Sequence, residues 1–265
     1  MTAPEQTSDP DAPDAQEIEF DLLASWTEDA VHELGTDHAI PAGCRGSGSP
    51  VDLAWLAEAM TVGPDSRVVD VGSGVGGPAA WLAEHFGPTP VCVEPMAGAA
   101  AAGRRLFGLP TVVADATALP LATGTFDVLE CLGVLCTVPV PDRPALAAEL
   151  YRVLRPGGAL GLLVFVARGP LPGPLPEGND FPTEDAVGTL LADAGFAMVQ
   201  SKESDGLGES PLAWQERAEA VDALLARRHG DDPRWRRAEE QTARIGRLIG
   251  GGHVRPLLVH ARAGA

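Results

Sequence analysis

The sequence is short of lysine, of paired cysteines, of long apolar runs and of concentrated positive charge, and each shortage removes a class of function. Lys202 is the single lysine among 19 basic residues, whereas Asp and Glu total 37. Eleven of those acids fall in the first 44 residues, which contain no Lys or Arg, so that from Arg45 onward 26 acids face 19 bases. Gripping a phosphate backbone takes a concentrated basic face, and with none in the chain no nucleic-acid partner is expected. Cys44, Cys92, Cys131 and Cys136 form no C-x-x-C pair and match no common zinc spacing, so free thiols in a reducing compartment are expected, and no metal. The first residues lack the cationic start and apolar core of a signal peptide. No run approaches the roughly 20 apolar residues that cross a bilayer. The expectation is a soluble, cytoplasmic protein with no membrane partner.

What is present is a strand and helix rhythm. Residues 1–17 are acidic, with Ala and Pro, and too poor in apolar side chains to offset the entropy of ordering; a disordered tail is expected. From Ile18 to Leu34 apolar residues recur at helical spacing (Phe20, Leu23, Trp26, Ala30, Leu34), and Gly35 is a plausible stop. Ser49-Pro50 reads as N-cap and first residue of a helix running to Met60. Strands are expected at Arg67–Val71, Val91–Glu94, Thr111–Ala114, Phe126–Cys131, Ala159–Val166, Phe196–Glu203 and Val254–Ala261. Helices fall between them at Pro78–Phe86, about Gly98–Phe107, Arg143–Leu154 and Thr183–Ala194. Short buried strands alternating with helices make a parallel sheet covered on both faces, whose ligands sit at the carboxyl ends of the strands. Two segments break the rhythm: a Pro/Gly-rich loop, Arg168 to Pro182, and a largely helical insertion, Pro211 to Ile249.

The chemistry concentrates in a few short motifs. Arg67-Val68-Val69-Asp70-Val71-Gly72-Ser73-Gly74-Val75-Gly76-Gly77 is an apolar run opening into a glycine turn, where missing Cβ atoms let a ligand lie against bare peptide groups. Gly72, Gly74 and Gly77 also satisfy the dinucleotide fingerprint, so the turn alone does not decide the ligand. Glu94 ends the second strand, where an acid can accept from two ribose hydroxyls. Asp115-Ala116 follows the third strand, where an acid can accept from an adenine amino group. Phe126-Asp127-Val128-Leu129-Glu130-Cys131-Leu132-Gly133-Val134-Leu135 runs into the site. Glu149 to Leu160 is a helix stopped by Pro156-Gly157-Gly158 and followed at once by a strand.

With these motifs in this order, over roughly Arg67 to Glu203, the chain resembles the class I S-adenosylmethionine-dependent methyltransferases. The likeness is to the small-molecule enzymes related to ubiquinone/menaquinone-biosynthesis methyltransferases. The resemblance implies a doubly wound, Rossmann-like α/β fold with a seven-stranded, mostly parallel sheet and an antiparallel last strand. It also implies a helical cap over 18–48 and a methyltransferase domain over 49–265 that includes a helical lid, 211–249. Asp70, Gly72, Gly74 and Gly76 would form the motif facing the methionine part of S-adenosylmethionine. Glu94 would hold the ribose, Met96 would flank the adenine, Asp115 and Ala116 would recognise its edge, and Leu132 would sit beside the sulfonium.

Methyl transfer from a sulfonium is an in-line displacement with an excellent leaving group, so alignment and desolvation supply much of the rate, and a base is needed only when the nucleophile arrives protonated. His38 and His253 are the candidate bases, each weighed against a surface or helix-capping role. Arg45 is a candidate for the cofactor carboxylate, weighed against a plain surface arginine. Trp26, His38 and the 211–249 insertion are expected to close over the cofactor and a small, rather apolar acceptor. The competing readings are a protein or cyclase that binds S-adenosylmethionine without transferring methyl, and a nicotinamide oxidoreductase, in which Pro156-Gly157-Gly158 and Asp115 have no role.

Overall fold

Four-residue runs rich in valine and bounded by Gly, Pro or Asp are too short for helices and too apolar for the surface, and they become the inner strands of the sheet. The computed structural model describes residues 21–264. The expected acidic tail over 1–17 and the helix start at Ile18 and Phe20 lie outside the described residues. The strands are β1 (Val68–Val71), β2 (Val91–Glu94), β3 (Thr111–Val113), β4 (Phe126–Leu132), β5 (Leu154–Ala167), β6 (Phe196–Glu203) and β7 (Val254–Ala263), in the spatial order β3-β2-β1-β4-β5-β7-β6. β1 pairs in parallel with β2 on one side and β4 on the other, and β7 runs antiparallel between β5 and β6. The strand order reverses at β1, which opens a crevice above the carboxyl ends of β1 and β4.

Nine helices are found among the described residues. α1 (Leu23–Leu34) and α2 (Ala39–Gly43) precede α3 (Pro50–Met60), which starts as its sequence requires: Ser49 Oγ accepts from Asp52 N while the Asp52 carboxylate accepts from Ser49 N. α3 and α4 (Gly77–Phe86) cover one face of the sheet, placing Leu53, Leu56, Met60 and Leu82 on Val68, Val128, Leu163 and Leu258. Each fully buried leucine there contributes about 1.5–3 kcal/mol. α6 (Arg143–Val153) and α7 (Glu184–Asp193) cover the other face with Leu146, Leu150, Val187 and Leu191. α5 (Ala97–Phe107) links β2 to β3, and its first turn is capped from a distance, because Asp21 accepts from the backbone N–H groups of Gly98 (2.5 Å) and Ala99 (3.1 Å).

The insertion before the last strand forms two helices, α8 (Leu212–His229) and α9 (Pro233–Gly250), broken at Gly230-Asp231-Asp232. α8 turns its apolar stripe to the N-terminal helices. Val221, Leu224, Leu225 and Trp235 share a buried cluster with Leu23, Ala30, Val31 and Ala42. Ion pairs Arg45–Asp222, Arg228–Glu33 and Arg217–Asp37 run across the same junction.

One junction departs from the expected layout. Helix α6 stops at Val153, before Pro156, and Leu154 already pairs with Phe126 in the ladder. The register then jumps, so that Val128 meets Ala159, and Arg155 to Gly158 bulge outward with Gly157 at φ 74°. Pro-Gly-Gly therefore shapes a bulge inside β5 rather than the helix end.

Candidate functional site

The glycine turn after β1 is built from backbone, and each glycine there has its own cause. Gly72 and Ser73 both donate to the Val93 carbonyl (2.8 and 3.1 Å), and Gly76 donates to Ser73 O (2.8 Å). Gly72, Gly74 and Gly76 have φ of 75°, 55° and 86°, the left-handed region that side chains disfavour. A Cβ on Gly72 would lie 2.3 Å from Val134 Cγ2, so the residue makes room for the segment after β4. A Cβ on Gly74 would meet nothing within 4 Å. Of the three, Gly74 is the glycine whose open side is free for a ligand. At Gly77 a Cβ would stand 2.2 Å from the Gly43 carbonyl carbon, so α2 rests directly on the start of α4.

Glu94 joins this turn to the next element. Its Oε2 accepts from Gly74 N (2.8 Å) and its Oε1 from Met96 N (2.9 Å). The carboxyl is 4% exposed, and burial raises its pKa against the lowering effect of the two amide donors. Asp115, exposed at the end of β3, accepts on Oδ1 from Thr117 N (2.7 Å) and Thr117 Oγ1 (2.6 Å).

Gly72, Gly74, Glu94, Met96, Asp115, Ala116, Leu132 and Arg45 all line one cavity of about 410 Å³ above the strand ends. Arg45 is not free there, because its guanidinium is paired with Asp222 of α8. Among the described residues Asp70 and Gly76 do not line it: Asp70 is buried, and a Cβ on Gly76 would face Cys92 and Phe107 instead.

The two histidines chosen from the sequence both lie outside the residues described as lining the cavity. His38 is not among the cavity's lining residues; its Nδ1 lies 3.0 Å from Asp37 Oδ1 and 3.2 Å from Gly35 O, at the turn after α1. His253 is exposed on the turn between α9 and β7, outside the lining. Trp26 also does not line the cavity. It stacks on His229 at 3.8 Å, with the Arg234 guanidinium 5.5 Å from its ring centre, and so fastens α1 to the α8–α9 junction. Lining residues that sequence reasoning missed include Thr27 of α1, Thr137 and Val138 beyond β4, Phe165 of β5, and Asn179 and Phe181 of the Pro/Gly-rich loop. The loop's departure from the carboxyl end of β5 was the available signal for the last two.

Comparison with known proteins places this geometry. The family described as "Methyltransferase domain" matches residues 69–162. The demethylmenaquinone methyltransferase of Mycolicibacterium vanbaalenii is 31% identical over 182 residues, covering 68% of this chain and 74% of that one. The chain belongs to the class I S-adenosylmethionine-dependent methyltransferase family. Methyltransferase GfsG of Streptomyces halstedii is 38% identical over 123 residues, 44% of either chain, so this methyltransferase-family chain aligns with less than half of that relative. Among solved structures the cyclase SpnF shares the fold over 97% of this chain and 98% of its own, with TM-score 0.70 and 20% identity.

Proposed function

We propose that this chain transfers a methyl group from S-adenosylmethionine to a small, largely apolar, phosphate-free acceptor. The observation that carries the reading is the gathering of Gly74, Glu94, Met96, Asp115, Ala116 and Leu132, from four separate strand ends, around one cavity. Those residues fit the cofactor. Gly74 leaves open space where a Cβ would stand. Each oxygen of Glu94 accepts one amide, and a carboxylate oxygen has capacity for a further donor such as a ribose hydroxyl. In this reading Glu94 holds the ribose, Met96 flanks the adenine, Asp115 and Ala116 meet its edge, Gly72, Gly74 and Gly76 shape the turn, and Leu132 packs near the sulfonium. When bound, the cofactor supplies an electrophilic methyl group.

Phe165, Phe181, Val138 and Ile245 give the cavity an apolar wall, and Arg45, the one basic side chain lining it among the described residues, is already paired with Asp222. An acceptor phosphate would have no free cation to meet, which favours an uncharged molecule. Among the described residues no His or Lys lines the cavity, so the chain's contribution is alignment and exclusion of water rather than proton removal by an imidazole. The cap over 18–48 and the 211–249 insertion act together as a lid on the 49–265 domain, supported by the cluster they share. The reading includes a cytoplasmic enzyme acting on neither membrane nor nucleic acid, supported by a formal charge of −18 and by the lack, among the described residues, of a helix long and apolar enough to cross a membrane. The same cavity suits a protein that holds the cofactor without using its methyl group, and turnover separates the two. Mass spectrometry of ligand released from purified protein tests the class: S-adenosylmethionine or S-adenosylhomocysteine is expected, and a nicotinamide dinucleotide contradicts it.

A further inference from the structure

Beneath the glycine turn lies a polar row that the cavity does not use. Cys92, Asp70, Glu130, Gly161 and His260 are register partners in successive strands, β2, β1, β4, β5 and β7. Register partners point to the same face, here the face covered by α3 and α4. Asp70 is 1% exposed and Glu130 is wholly buried. Asp70 Oδ2 and both Glu130 oxygens have no hydrogen-bond partner among the described residues. The titratable groups around the pair are Cys44, which follows α2, Cys92 and Glu94 from β2 and Cys131 beside Glu130 on β4, with Leu56 and Met60 of α3 over the neighbouring Gly161. No Lys or Arg is among them. His260, beyond Gly161, is held neutral by burial, and the Met60 thioether fills the slot above Gly161 between it and Glu130.

Two adjacent carboxylates in such a place cannot both be charged, and neither has a cation to pair with. We propose that Glu130 is a positioning residue for Asp70: the two carboxyls hold one proton between them, Glu130 donates it in a hydrogen bond to Asp70, and the buried layer beneath the glycine turn carries a single negative charge. Burial raises the pKa of both acids, and because both oxygens of Glu130 but only Oδ2 of Asp70 are buried without a partner, Glu130 is the member that keeps the proton. The consequence falls on the ligand. S-adenosylmethionine carries a sulfonium charge that its product, S-adenosylhomocysteine, lacks, and a fixed anion in that low-dielectric layer favours the charged one. The pair therefore sets the preference for methyl donor over spent product. This inference rests on the methyltransferase reading and adds to it a role for Glu130, which lies in the fourth-strand motif but was given none there.

The test is calorimetric affinity for S-adenosylmethionine and S-adenosylhomocysteine, read as a ratio, in the full chain and in E130Q, E130L and D70N. Glutamine keeps a neutral donor beside Asp70 and is expected to hold the ratio within about threefold of the parent. Leucine leaves Asp70 as a lone buried acid, which then takes the proton itself. E130L and D70N are each expected to shift the ratio toward the product by about tenfold. In the parent the ratio is expected to fall as pH drops from 8 to 6, and in D70N to stay flat. If Glu130 only fills space, leucine binds like the parent, since an apolar side chain of similar volume is tolerated in a core; an unmoved ratio in E130L and D70N overturns the proposal. Should E130L fail to fold, infrared spectroscopy at pH 8 decides, a protonated-carboxyl band lost in E130Q supporting the pair and no such band overturning it. A parent that binds neither nucleoside defeats the methyltransferase reading instead, while the infrared result still judges the pair.

Discussion

The two halves of the cavity were written into the chain in different ways. The half formed by β1 to β4 is local: Gly72 to Gly76, Glu94 and Asp115 each sit at the end of a strand, and the sheet brings those ends together in one step. The half formed by α1, α2 and α9 is made by segments far apart in sequence, which α8 ties together from outside through Arg45–Asp222 and through His229 stacked on Trp26. Strand ends leave a signature of spacing, whereas contacts between distant helices leave only apolar periodicity, which says that a face is buried but not against what.

Substitutions sharpen that contrast. The largest effect is expected at Gly74→Val, which places a branched side chain at φ 55° in the open space above the turn. Binding of S-adenosylhomocysteine is expected to vanish in calorimetry while circular dichroism keeps the fold. Normal binding by that variant would show that the turn does not hold the ligand. In the other half, Leu225→Ala removes a wholly buried side chain from the junction of α8 with α1, at an expected cost of about 2–5 kcal/mol in denaturant unfolding. Its affinity for S-adenosylhomocysteine is expected to stay within a few-fold. Comparable losses of affinity in both variants would mean that the halves are not separable.

Glu94→Ala is the next step down. Removing a buried carboxylate that accepts from Gly74 N and Met96 N, and in this account from the ribose, is expected to weaken cofactor binding by about 1.5–3 kcal/mol, tenfold or more. Unchanged affinity removes Glu94 from the ribose role.

The smallest effect is on stability against pH. Asp70 in the folded chain titrates at about 7, above the usual carboxylate range near 4. The folded state thus binds a proton that the unfolded chain has released, and this group lowers stability as pH rises from about 4 to about 7. Asp127, held low by Arg67 and Arg155, acts with the opposite sign at more acid pH. Glu130 and Glu94, also raised by burial, add declines of the same sign, so thermal unfolding is expected to lose stability from pH 5 to pH 7 less steeply in D70N than in the parent, and an equal decline in D70N removes Asp70 as a source.

Much of the sheet was legible because each inner strand is a valine-rich run bounded by breakers, as Val68–Val71 and Val91–Glu94 show. The Ser49-Pro50 helix start was legible because capping is a local hydrogen bond. That His38 and His253 lie outside the cavity lining was not legible, since nearness to the core in sequence does not fix where a loop side chain ends up. The cap that Asp21 gives α5, and the row from Cys92 through Asp70 and Glu130 to His260, depend on register and on partners from 22 to 99 residues away, which a single sequence does not encode as a pattern. Gly72 was expected to leave room for ligand, whereas the packed neighbour is Val134.

The central claim is that the cavity at the carboxyl ends of β1 to β4 is built for an adenosyl ligand. Calorimetric titration of the purified chain with S-adenosylhomocysteine and, separately, with NAD tests it most directly. The account predicts saturable one-site binding of S-adenosylhomocysteine that is lost in Gly74→Val and weakened in Glu94→Ala, with no heat of binding for NAD. Binding of NAD, or S-adenosylhomocysteine binding indifferent to both substitutions, would contradict it.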